Sequence, residues 1–215
     1  MDREAEQRAP QMAFAHLKAA TPLETAAREL VEFARPIIPA HIDLSLVPLC
    51  MEPSVEGIVE HLTELFQTDP PAGSINGLWF GLFEMMTEGD DEDADEALDE
   101  ELDEDVADDA LKNEMTLYIS GSAKFNPDVR KPDWHCRPDW FPDGRYMQPS
   151  LLNYLNELRP QSESEEDFEA HFHIVTCLMV PLTLLCVGEV VRRMGPRLLL
   201  GKAPSICGAY HFPPV

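Results

Sequence analysis

Residues 114–125, EMTLYISGSAKF, and 126–146, NPDVRKPDWHCRPDWFPDGRY, decide how the rest of the chain is read. The first half reads as a hydrophobic strand, and the second as a proline-rich aromatic loop, assigned to 126–148. Upstream, Asn76 to Met86, NGLWFGLFEMM, is aromatic and glycine-rich, which predicts a strand buried on both faces. Between the two strands, residues 88–109 carry fifteen acids and no lysine or arginine. Two strands separated by such an insertion most simply form a hairpin, with 88–111 as its long acidic loop, flexible or helical.

Working outward, Thr21-Pro22-Leu23-Glu24 sets a cap, a proline and a capping-box glutamate for a helix over 22–34. Residues 1–20 are weakly patterned, a frayed or short helical lead-in. Ile42, Leu44 and Leu46 alternate with Asp43 and Ser45, which predicts a half-buried strand over 41–49 closed by Pro48. Ser54 caps a helix over 54–67, in which Val55, Ile58, Leu62 and Leu65 recur at helical spacing. Pro149-Ser150 opens a leucine helix over 150–158. A last helix over 165–194 begins with Glu165, Glu166 and Asp167 and ends with Arg192, Arg193 and Gly195, so its charges oppose the helix dipole. Pro181 should kink or split it. The tail from Leu198 is apolar enough to pack. The expected architecture is a single α+β domain over 1–215, a small, mostly antiparallel sheet of three or four strands packed on several helices.

Composition narrows the chemistry. The chain has 215 residues, is 44% hydrophobic and carries a formal charge of −24; the acidic segment supplies −15, leaving −9 for the rest. Such a charge repels nucleic acid and anionic membranes and attracts cationic partners. The longest apolar run, Ile174 to Val187, is short for a membrane span and contains Pro181. Five cysteines with no CxxC pair suit reduced thiols, and the first ten residues lack the apolar run of a secretory leader. A cytoplasmic location, no membrane and no nucleic acid are the expectations.

Asp91, Asp93 and Asp95 begin like a calcium loop, but Glu96 stands where glycine is needed and Leu102 where the bidentate glutamate belongs. The acidic segment is therefore either a solvated insertion or a surface for cationic groups, contributed by Asp91, Asp93, Asp95, Asp99, Glu100, Asp103 and Glu104. In the aromatic loop, Trp134, Trp140, Phe141 and Tyr146 are interleaved with Arg130, Lys131, Arg137 and Arg145, and tryptophan, tyrosine and arginine are the residue types that dominate binding hot spots. They are equally what pins a long loop over a sheet, with Arg145 bonding a carboxylate inside the fold. Pro142-Asp143-Gly144 marks a turn. Cys136 beside His135 lacks a nucleophile signature, and His171 and His173 face apart on a helix, leaving His173 with Cys177 as an incomplete ligand pair. No catalytic residue, cofactor or metal is expected.

Tyr118-Ile119-Ser120-Gly121, Trp134, Pro138-Asp139-Trp140-Phe141-Pro142-Asp143-Gly144-Arg145-Tyr146 and the leucine helix, together about residues 77–158, resemble small acidic immunity proteins of bacterial polymorphic-toxin and contact-dependent systems. The resemblance implies an intracellular protein without enzymatic activity that binds a cognate toxin and blocks its active site. The acidic insertion suits a toxin with a basic groove. Two other classes compete. A secretion or assembly chaperone would show a large apolar groove, and an unrecognised enzyme would show a pocket gathering perturbed carboxylates, histidine or Cys136.

Overall fold

The computed structural model describes residues 3–75, 77–87, 112–124, 138–160, 165–198 and 205–210. The acidic segment with its seven candidate residues, Trp134, and the Cys136–His135 pair lie outside them. Helices α1 (Arg3–Ala19), α2 (Leu23–Ala34) and α3 (Val47–Thr68) precede strands β1 (Gly77–Thr87), β2 (Lys112–Ser122) and β3 (Tyr146–Met147). Helix α4 (Ser150–Leu158), α5 (Glu165–Ile174), a π-helical turn over Val175–Met179, α6 (Val180–Leu198) and strand β4 (Ser205–Tyr210) follow. The sheet order is β3-β2-β1-β4. β1 pairs antiparallel with β2 over their whole length, so the predicted hairpin across 88–111 forms, while β4 runs parallel to β1. The class is α+β, as expected.

The sheet has two chemically different faces because side chains alternate along a strand. Leu78, Phe80 and Leu82 of β1 and Met115, Leu117 and Ile119 of β2 join one buried cluster with α2, α3, α4 and α6. Trp79, Gly81 and Phe83 point the other way, opposite Ser120, Tyr118 and Thr116. Trp79 is nevertheless buried, so β1 is covered on both faces there, as its continuous apolar run predicts.

The predicted strand over 41–49 does not exist. Asp43 Oδ1 accepts from the Ser45 amide at 2.9 Å, an Asx turn, and Ile42 and Leu44 are anchors of that turn in the core. Pro48 opens α3 instead of closing a strand; in the first helical turn its missing N–H costs nothing. Ser54 consequently lies inside α3, and its hydroxyl works elsewhere. It donates to Cys50 O at 2.7 Å and accepts from Leu151 N at 2.7 Å, capping the first turn of α4 from a neighbouring helix. Ser54→Ala leaves that buried amide without a partner and should lower stability by about 1–2 kcal/mol. A urea titration of the purified variant measures it.

Pro181, expected to kink or split the last helix, sits instead just after a π-helical turn over Val175–Met179. Its ring cannot sit over the carbonyl four residues back, and the chain winds through the π-turn immediately before it. Asp167 to Gly195 is long and apolar enough, by length and composition, to cross a membrane, and 67% of its most apolar stretch is buried within this fold. Helical geometry is broken at Gly195 (φ 2°, ψ −82°), the predicted stop, where the helix kinks and then continues to Leu198.

One polar network stands at the helix side of the sheet. Arg159, past the end of α4, is buried and its Nη2 donates to Glu84 Oε1 of β1. Nη1 donates to Asn156 Oδ1 at 3.2 Å, and Nε donates to His171 Nδ1 of α5 at 3.4 Å. Burial, then the Arg159 charge, lowers the His171 pKa against the opposing pull of Glu84. The folded protein thus disfavours protonated His171, whereas the unfolded chain accepts a proton near its ordinary value. Stability should therefore fall as pH drops below about 6.5, since the unfolded state then binds more protons. Unfolding midpoints at pH 7.5 and 5.5 should differ less in His171→Gln than in the parent.

Candidate functional site

The loop after residue 137 is pinned at its start and exposed at its end. Trp140 pairs with Gly121 (Gly121 N–Trp140 O 2.9 Å, Trp140 N–Gly121 O 3.0 Å) and its ring lies 5.8 Å from Phe66 of α3. It is 7% exposed and belongs to the core, so it turns inward, unlike Phe141 and Tyr146. Gly121 makes this possible, because a Cβ there would fall 2.8 Å from Ile75 and 3.1 Å from the Trp140 ring. The Pro142-Asp143-Gly144 turn follows, and His61 Nε2 donates to Gly144 O at 2.7 Å, fastening the turn to α3.

From there the side chains reach solvent. Tyr146 pairs with Tyr118, which places it on the sheet face opposite the helices. Its ring centroid lies 6.4 Å from those of both Tyr118 and Phe83. Tyr118 leans over Gly81, where a Cβ would sit 2.4 Å from its ring, and its hydroxyl accepts from Trp79 Nε1 at 3.2 Å. An aromatic ring covering a strand glycine restores the packing that the glycine lacks. The Arg145 guanidinium lies 4.0 Å from the centre of Phe141 and 4.5 Å from that of Tyr146. Phe141, Arg145, Tyr146, Phe83 and Tyr118 thus form one platform across the outer face. Phe83 is 47% exposed, Phe141 50% and Tyr146 36%. Sequence reasoning found Phe141, Arg145 and Tyr146; it missed Phe83 and Tyr118, which were assigned to buried strands. Only the register, which puts Phe83 two residues beyond the Tyr118–Gly81 pair on the same face, shows them.

Arg145 does not bond a carboxylate among the described residues. Nη1 donates to Pro142 O at 3.1 Å, and Nε is buried without a partner.

The free edge of β2 is closed residue by residue. Asn156 brackets Met115, accepting from its N at 3.0 Å and donating to its O at 3.1 Å. Leu117 pairs with Met147, and Ile119 N donates to Arg145 O at 3.1 Å. Gly121 pairs with Trp140, and Ala123 N donates to Asp139 Oδ2 at 2.8 Å. Every second residue from 115 to 123 is bonded, so a partner cannot add a strand there.

Two other places hold functional residue types. A cavity of about 340 Å³ lies between α1 and α6, lined by Phe14, Leu17, Leu184 and Val191 with His16 and Glu189 among its polar groups. Arg192 and then Arg193 hold the Glu189 carboxyl down at about 2, so it stays ionised and ion-paired, the wrong direction for proton transfer near neutral pH. His16 is occupied by Thr21 Oγ1 at 3.3 Å. His173 and Cys177 fall on α5 and the π-turn, and among the described residues no three histidine, cysteine or acidic side chains gather as metal ligands.

No protein-family profile, curated protein or solved structure matches the chain.

Proposed function

We propose that this chain is a binding protein of the immunity type, which acts in the cytoplasm by covering the active surface of a cognate basic protein and transforms nothing itself. The observation that carries the reading is the platform: three large aromatic side chains between 36% and 50% exposed, adjoining one arginine, on the sheet side opposite the core residues Leu78, Phe80, Leu82, Met115, Leu117 and Ile119. Aromatic residues and arginine concentrate binding energy when a partner excludes water from them. A formal charge of −24 supplies the steering toward a cationic partner. Cys50, Cys177 and Cys186 are free thiols, in keeping with a reducing compartment.

The test is positional cross-linking in the source cells. A photoreactive amino acid at 83, 141 or 146 should trap one common protein, and the same group at Arg28, on exposed α2, should not. Trapping should weaken as salt rises, because exposed charges are screened. Equal trapping from all four positions, or from none, would remove the platform from the account.

A further inference from the structure

We propose that the platform reads a carboxylate: the partner's anchor is an apolar or aromatic side chain on Phe83 and Tyr146, flanked by an aspartate or glutamate that accepts from Arg145. The inference rests on the binding reading above and adds the chemistry of the occupant. Arg145 is held in one orientation by the Phe141 and Tyr146 rings and by Pro142 O. Nε is buried, which closes the side-on approach, while Nη2 has no hydrogen bond among the described residues and is not sealed off. A guanidinium fixed this way loses little freedom when it binds, and its planar fork matches a carboxylate.

Charge argues the same way. The chain has 40 acids and 16 lysines and arginines, and Arg28, Arg159, Arg192 and Arg193 each meet a carboxylate of this fold. Arg145, in the middle of the exposed aromatics, has none among the described residues, as is also true of Arg8, stacked on Phe33, and Arg35, bonded to Ile42 O. A partner that is basic overall would be drawn by the net charge. The single acid it places on Arg145 would then fix its register, since aromatic contact alone is poorly directional.

Random dodecapeptides displayed on phage and selected on the full-length protein test this. The expected winners pair a large apolar residue with a neighbouring Asp or Glu, and lose binding to Phe83→Ser. Changing that acid to its amide in a synthetic winner should weaken binding at least tenfold. Arg145→Gln should weaken it similarly, and the two changes together should cost little more than either alone. Arg145→Lys, which keeps the charge without the fork, should fall between. The amide exchange leaves the protein untouched, so a misfolded variant cannot mimic the result. Winners that need Phe83 but carry no acid, or tolerate the amide, would overturn the carboxylate and leave the docking surface standing. Winners indifferent to Phe83→Ser would overturn both.

Discussion

Replacing Arg159 with leucine should lower the unfolding free energy by about 2–3 kcal/mol, or roughly 5–10 °C in Tm for a chain of this size. The Arg159 side chain is 3% exposed and the Glu84 side chain 29%. Breaking a fully buried pair typically costs more, about 3–5 kcal/mol, but water can reach the abandoned Glu84 and softens the loss. The larger part comes from Arg159's position. It ties the end of α4 to β1 and α5 through Glu84, Asn156 and His171. Asn156 in turn brackets Met115 at the edge of β2, so the loss should spread into the sheet. Removing both charges in Arg159→Leu/Glu84→Leu should recover only the smaller part of the loss, the part that comes from stranding Glu84. Chemical unfolding of the single and double variants separates the two outcomes; equal losses would mean that packing, not charge, holds this corner.

Gly121→Val should cost about 2–3 kcal/mol and detach the aromatic loop. The new side chain would have to occupy space within 2.8 Å of Ile75 Cγ2 and 3.1 Å of the Trp140 ring. Both neighbours are buried, and β-branching leaves valine few rotamers with which to evade them. Because Phe141, Arg145 and Tyr146 follow Trp140 within six residues, the platform should lose its order with the anchor. Proteolysis at residues 138–147 should appear in this variant and not in the parent. Gly81→Ala is the control: the three atoms nearest its Cβ all belong to the partly exposed Tyr118 side chain, at 2.4–2.7 Å, and not to backbone or buried core. A smaller stability loss and a shifted Tyr118–Trp79 contact are expected there.

The parts of this fold legible in the sequence are those where local chemistry and packing agree. The hairpin followed from two apolar runs flanking an acidic insertion, and α4 falls at Ser150–Leu158, where Pro149 and the leucine spacing put it. The segment 41–49 misled because Ile42 and Leu44 alternate, whereas Asp43 bonding Ser45 makes a turn of the same residues. Helix α1 carried little apolar signal, since it packs through Ala9 and Ala13, both fully buried, and its Leu17 reaches Gly188 of α6. Small residues allow close helix approach without raising hydrophobicity. The two-residue β3 has no periodicity to read, and β4 lies in a tail whose partner strand is more than a hundred residues away. The loop was recognisable as an aromatic surface, but its sides were not. Trp140 turns inward and Tyr146 outward because of their register against Gly121 and Tyr118, a tertiary fact.

The account's central claim is that the outer-face aromatics serve a partner and not the fold. The double variant Phe83→Ser/Tyr146→Ser, measured for both unfolding and partner affinity on one preparation, tests it most directly. Both side chains are at least one-third exposed, so the unfolding free energy should change by less than about 1 kcal/mol. Affinity for the protein cross-linked at position 146 should drop about 100-fold or more. Undiminished affinity in a protein that has lost several kcal/mol of stability would contradict the claim and return these rings to the core.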